Sequence, residues 1–155
     1  MLGRSKRMDS KLSDDYIAAC MWAKKTVLFL PEPPAGLQKR HIYIVKICYE
    51  LSKKQDEVRV TDIADAIKVT LPSITKNIST LEKKGYIKKE ANSEDKRVIN
   101  IVLTEKGLAL YKEEVYDFHD RNSQLLKEIP EADIRLTIQT MHKIHQLMEQ
   151  EYTHD

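Results

Sequence analysis

The sequence predicts a mainly α fold with a small antiparallel β-wing. Three observations carry this. Apolar residues recur three and four positions apart over most of the chain, the spacing of one helical face. A period of two is confined to residues 98–103, where Ile99, Ile101 and Leu103 alternate with Val98, Asn100 and Val102. Before them lies the turn-forming, charged run Asn92-Ser93-Glu94-Asp95-Lys96-Arg97, and residues 86–90 supply the other arm of a hairpin.

Bulk properties narrow the function. The 155 residues suffice for one domain with a modest core. A net charge of +2 excludes a chain that is basic throughout. The charge is uneven, however. Residues 70–97 hold seven Lys/Arg against four Asp/Glu, and residues 128–155 hold two against six, so only the first segment suits a polyanion. Cys20 and Cys48 are too few for a disulfide framework or a zinc cluster, and each falls in an apolar helical pattern that predicts burial. No apolar run suits a secretory signal or a membrane span, so a cytoplasmic location is expected, with no membrane partner. With four glycines, no phosphate-binding glycine loop, no nucleophile elbow and no metal-ligand spacing, neither an enzyme nor a bound cofactor is expected.

Each element has a local cause. Residues 1–12, with Arg4, Lys6, Arg7 and Lys11, read as a flexible basic tail, or alternatively as an arm adding phosphate contacts. Ser13 is the expected cap of a first helix, with Asp14 and Asp15 in its opening turn. Ile17, Cys20, Met21, Val27 and Leu28 form its stripe, and Pro31, Pro33, Pro34 and Gly36 end it after about Leu30. A second helix covers residues 38–53, with Ile44, Ile47, Cys48 and Leu51 inward. Residues 58–60 are expected as a short third strand of the wing sheet. Thr61 is the expected cap of a third helix, with Ile63, Ala64 and Ile67 inward.

Thr70 opens a fourth helix, where Pro72 is tolerated in the first turn. Ile74, Ile78 and Leu81 make its apolar stripe. Lys83 and Lys84 sit at the negative end of its dipole, and Gly85 offers a left-handed stop. Two short helices joined by a tight turn and followed by a hairpin make a winged helix-turn-helix. The competing reading is a set of core helices with no role in binding DNA. Thr104 caps a long helix with Leu108, Tyr111, Val115, Phe118 and Leu125 at seam spacing and a polar Asn122 among them. Ile129-Pro130 breaks it, and a last helix carries Ile134, Ile138, Met141, His145 and Met148. Amphipathic helices flanking a small reader need a surface to bury against, and a second copy supplies one. Residues 13–37 and 108–152 are therefore expected as the helical dimerisation region, and residues 38–107 as the winged domain.

Three pieces carry a family resemblance: Leu81-Glu82-Lys83-Lys84-Gly85-Tyr86-Ile87, then Asp95-Lys96-Arg97, then Leu103-Thr104-Glu105-Lys106-Gly107. In this order and separation they resemble the MarR family of bacterial transcriptional regulators, over about residues 58–107. The resemblance implies an obligate homodimer on a near-palindromic operator of double-stranded DNA, acting as an effector-responsive repressor. Each recognition helix would enter a major groove, the two about 34 Å apart. Thr70, Pro72, Ser73, Thr75, Lys76 and Ser79 are the candidates for base and backbone contact. Arg97 is expected in the minor groove with Asp95 orienting it. Lys83, Lys84, Lys88, Lys89 and Lys96 are expected to supply the salt-dependent contacts, or else to form a solvated face.

The resemblance also implies a pocket between the dimer helices and the winged domain for a small effector, phenolic or aromatic. Tyr16, Trp22, His41, Tyr43 and Tyr111 are the candidate lining residues, each weighed against plain core or interface. In a redox-sensing branch a first-helix cysteine acts. Cys20 would take that part with Tyr16 one turn away, although only neutral and apolar neighbours are visible. In a zinc-sensing branch, His41, Glu113, Glu114 and His119 would be the ligands, but their spacing matches no strong signature and no metal is expected. The spaced pair His142 and His145 is weaker still. A winged module that binds a protein rather than DNA stays open, with a flat salt dependence as its mark.

Overall fold

Helix α1 (Ser10–Thr26) begins earlier than Ser13 because Asp9 caps it, its carboxylate accepting the Lys11 N–H at 3.1 Å. Ser13 lies inside the ladder, its N–H donating to the Asp9 carbonyl at 3.2 Å, so the expected cap is displaced by four residues. The computed structural model describes residues 8–92, Asp95 and 97–153. A 3₁₀ turn (Val27–Phe29) ends the first helix just before the proline run. Helix α2 (Lys39–Ser52) falls within the expected range and buries Ile44, Val45, Ile47 and Cys48. Its start is closed by His41, whose Nδ1 accepts the Gln38 N–H at 3.1 Å.

Two expectations fail at the next helix, α3 (Val60–Ile67). Thr61 does not cap it. Arg59 holds the cap position, and the Asp62 carboxylate accepts the Arg59 N–H at 2.7 Å. Residues 58–60 are not a strand either. The Val58 carbonyl accepts the Ile101 N–H at 2.7 Å, but the Val58 N–H donates to the Asn100 side chain at 2.7 Å. One rung is not a ladder, and helix starts two residues on. Lys68 ends α3 with a left-handed φ of 58°. For a residue with a Cβ this costs about 1–2 kcal/mol, and it turns the chain sharply into α4 (Leu71–Lys83). Thr70 takes the cap position of α4 without a side-chain capping bond. The inward face holds Ile74, Ile78 and Leu81 as expected, and also Asn77.

Two of the three sequence motifs have a physical cause at the junctions around the wing. Leu81 is fully buried, and Gly85, at φ 78°, takes the left-handed stop. The Gly85 and Tyr86 N–H groups donate back to the Glu82 and Leu81 carbonyls, both at 2.9 Å. Strand β1 (Ile87–Ala91) starts one residue later than expected and pairs antiparallel with β2 (Ile99–Leu103), Ile87 opposite Leu103 and Ala91 opposite Ile99. Thr104 then joins the wing to the next helix, α5 (Glu105–Tyr111). Its hydroxyl donates to the Gly85 carbonyl at 2.6 Å and accepts the Gly107 N–H at 3.1 Å. Gly107 is pressed against Tyr86, where an added Cβ would stand 2.1 Å from the Tyr86 carbonyl oxygen.

The long helix after Thr104 is continuous but not uniform. A π-helical turn (Lys112–Tyr116) separates α5 from α6 (Asp117–Leu125), which a 3₁₀ turn (Leu126–Glu128) ends. A π turn inserts an extra residue and rotates the helix beyond it. Leu125, expected in one stripe with Leu108, is exposed beyond it; Leu108 is exposed already within α5, where Leu110 is the buried position, and Val115 is buried in the π turn itself. Tyr111 anchors the joint by stacking on Tyr49 of α2, ring centroids 3.9 Å apart. After Pro130, α7 (Glu131–Tyr152) completes the described chain. The core joins α2, α3, α4, the wing and α5, while α1, α6 and α7 bury no residue in the single chain. No helix among the described residues is long and apolar enough to cross a membrane.

Candidate nucleic-acid interface

Helix α4 divides cleanly by face. Ile74, Asn77, Ile78 and Leu81 point into the core, which leaves Pro72, Ser73, Thr75 and Lys76 exposed, with Thr70 before them and Ser79 half-buried. The Thr75 hydroxyl donates to the Leu71 carbonyl at 2.8 Å and the Asn77 amide to the Ser73 carbonyl at 2.8 Å. Asn77 is also hydrogen-bonded with His41 of α2, a polar tie behind the recognition face that periodicity did not reveal. An asparagine within an apolar stripe was the available signal. Burial, and then the positive charge of Arg40, hold the His41 imidazole below its ordinary pKa. It is therefore an acceptor, as the bond from Gln38 requires.

The wing presents one guanidinium. Arg97 donates through Nε to Asp95 Oδ1 at 3.1 Å and through Nη2 to Oδ2 at 3.3 Å. Its side chain stays 91% exposed, free to meet a ligand without leaving its orienting carboxylate. Asn92 supports the turn by accepting the Asp95 N–H at 3.0 Å. The lysines differ among themselves. Lys88 pairs with Glu90, and Lys89 pairs with Glu82 at 2.7 Å. Lys84 packs over Gly36, where an added Cβ would meet its ammonium at 2.7 Å. Among the described residues Lys76 and Lys83 have no ion-pair partner. Lys96, and Arg4, Lys6 and Arg7 of the tail, lie outside the described residues.

The five aromatic pocket candidates are not brought together. Tyr43 lines a cavity of about 250 Å³ with Leu30, Pro31, Lys39, Ile42 and Lys46, closed on the other side by Glu114, Val115, Phe118 and His119. His41 is buried beneath α4, Tyr111 is stacked on Tyr49, and Trp22 is exposed under the Lys25 ammonium. Tyr16 lines a separate groove between α1 and α7 together with Cys20, Leu136 and Met141. Its hydroxyl is hydrogen-bonded with Cys20, which raises the tyrosine pKa. Cys20 is half-buried rather than core, whereas Cys48 is buried and its thiol is pushed up to about 12. Glu114 and His119 share the cavity, yet among the described residues no group of three or more His, Cys, Asp or Glu is placed to hold a metal.

Known proteins share both this helix-and-wing geometry and the sequence that builds it. Residues 47–99, from within α2 to the start of β2, match the model of the MarR family. These residues form a MarR family domain. A MarR/EmrR family transcriptional regulator from Acinetobacter sp. ADP1 superposes with a TM-score of 0.64 at 25% identity, covering 88% of this chain and 97% of that one. Streptococcus pneumoniae FabT, in a complex with DNA, superposes with a TM-score of 0.66 at 17% identity, covering 92% and 99%, and shares the fold. An uncharacterized protein of Methanocaldococcus jannaschii is 30% identical over 84 residues. That stretch is 54% of this chain and 30% of the archaeal protein, so the chain spans under a third of that relative's length. The likeness to the Acinetobacter regulator extends well beyond the MarR segment, through both flanking helical regions, and the architecture is that of MarR family transcriptional regulators.

Proposed function

We propose that this chain is a sequence-specific DNA-binding transcriptional regulator, working as a homodimeric repressor on a near-palindromic operator. The observation that carries this reading is the exposed Arg97 guanidinium, held ready by Asp95 beside the hydroxyl-rich outer face of α4. A helix bearing Thr70, Pro72, Ser73, Thr75, Lys76 and Ser79 suits the major groove. A preorganised arginine suits the negative potential of a narrow minor groove. Lys76 and Lys83, free of carboxylates among the described residues, supply the sequence-blind attraction, and Lys88, Lys89 and Lys84 add to it once their surface contacts are exchanged.

Dimerisation through residues 13–37 and 108–152 is supported by surface that one chain leaves open. Ile17, Met21, Leu28 and Phe29 near the start, and Leu136, Ile138, Leu147 and Met148 in α7, are all exposed. Apolar area on this scale marks an interaction surface. The effector reading rests on the cavity beside Tyr43. Its apolar walls (Ile42, Val115, Phe118) with Lys39 and Lys46 at hand suit an aromatic ring carrying a phenolate or carboxylate.

The test is fluorescence anisotropy on duplexes from upstream of the gene, with a scrambled control, across a series of salt concentrations. Tight, specific binding with log affinity falling steeply in log salt is the expected result, lost on adding phenolic ligand. Equal, weak binding to both duplexes overturns it in favour of a protein partner. Sedimentation should show a dimer.

A further inference from the structure

A shallow groove of about 400 Å³ runs between α4 and the wing. Leu71 and Thr75 form one wall, Arg97, Val98 and Ile99 the other, and Arg59 and Thr61 lie where α3 begins. The geometry of B-DNA dictates its occupant. Adjacent major and minor grooves are separated by one sugar–phosphate strand. A helix in the first and an arginine in the second must straddle that strand, so it passes over whatever lies between them. The groove fits it chemically. Among the described residues its lining carries two guanidinium groups and two hydroxyls and no carboxylate. Arg59 pairs with Glu57, Nη2 to Oε2 at 3.1 Å, with its side chain 52% exposed, and its charge is also felt by the Asp95 carboxylate. An exposed pair of this kind is weak and readily exchanged for a phosphate, which a guanidinium can bind through two donors. The Thr75 hydroxyl is spent on the Leu71 carbonyl, while that of Thr61 has no partner among the described residues.

We propose that Arg59, assisted by Thr61, grips the phosphate strand that separates the groove entered by α4 from the groove entered by Arg97. This rests on the DNA-binding reading and adds to it a sequence-blind phosphate contact between helix and wing. It was not legible from the sequence, where Arg59 falls in a segment expected to be a strand.

The experiment compares full-length wild type, Arg59→Gln and Arg59→Lys by anisotropy on specific and scrambled duplexes over a salt series. The α3 start is capped through the Arg59 backbone, so both substitutions keep it. Arg59→Gln should weaken both duplexes by the same factor, roughly tenfold for a lost charge-assisted bond. It should flatten the log–log salt slope by about one and leave the specificity ratio unchanged. Arg59→Lys should restore the slope. If wild type binds its site and Arg59→Gln leaves the slope unchanged, or loses only the specific duplex, this inference falls and the DNA reading stands. If wild type ignores both duplexes, the two fall together.

Discussion

Asp95 holds Arg97 at three points. Oδ1 accepts the Arg97 Nε at 3.1 Å and its backbone N–H at 3.0 Å, while Oδ2 accepts Nη2 at 3.3 Å. The side-chain bonds, followed by the backbone bond, keep the Asp95 carboxyl below its ordinary pKa. The carboxylate is thus ionised at any pH at which DNA is bound, and the guanidinium is oriented before DNA arrives. Arg97→Ala should cost about 1–3 kcal/mol of operator binding, a tenfold to hundredfold loss. Asp95→Asn should cost less, because the charge of Arg97 remains and only its orientation is lost. Titrations of both variants against wild type decide this, and an Arg97→Ala protein of unchanged affinity would remove the wing from the mechanism.

Gly107 and Gly85 should respond differently to alanine. At Gly107 the new Cβ would meet backbone, the Tyr86 carbonyl oxygen at 2.1 Å, and that carbonyl also accepts the Thr104 N–H. Neither partner can rotate away, so Gly107→Ala should destabilise by about 2 kcal/mol or more. At Gly85 there is open space but a φ of 78°, so Gly85→Ala should cost about 1–2 kcal/mol. Urea melts give the order. Gly85→Ala as the more damaging change would contradict the tight joint between the wing and α5.

Stability should fall on mild acidification because of His41. Its folded-state pKa is lowered from 6.5 by burial first and Arg40 second. Between the lowered value and 6.5 the unfolded chain binds the extra proton and the folded chain does not. The contribution of neutral His41 is therefore complete above pH 6.5, declines as pH falls through 6.5, and stops changing below the folded-state pKa. Thermal melts from pH 8 down to pH 5 should show a decline that is reduced in His41→Gln. An identical pH profile in that variant would mean that other groups carry the effect.

The two cysteines should separate by reactivity. Cys48 is buried among apolar neighbours with its pKa at about 12, so at pH 8 it holds almost no thiolate. Cys20 is half-buried in the α1–α7 groove. Iodoacetamide should label Cys20 before Cys48 in the native protein, read by peptide mass spectrometry, and label both in urea. Modification of native Cys48 at a comparable rate would require the core to open.

The sequence reading succeeded where causes are local. The range of α2, the inward face of α4, the stop at Gly85, the two wing strands and the cap at Thr104 all arise within a few residues. It failed where another group, near or far along the chain, took the hydrogen bond. Ser13 lost its cap role to Asp9, and Thr61 lost its own to the Asp62–Arg59 contact. Val58 lost its strand because Asn100, 42 residues away, accepts its N–H. The π turn was hidden because three-and-four spacing assumes one phase along the whole helix, and a single inserted residue changes it.

The candidate site divides in the same way. Sequence alone determined which residues of α4 face outward and that an aspartate two positions from an arginine would orient it, since helical period and short-range pairing need no tertiary partner. Tertiary structure alone decided that Asn77 turns inward to His41, and that Arg59 stands between helix and wing. It also decided that Tyr16, Trp22, His41, Tyr43 and Tyr111 lie in different places rather than in one pocket. The physical reason is that a side chain's direction is set by its own element, but its neighbours are set by how the elements pack.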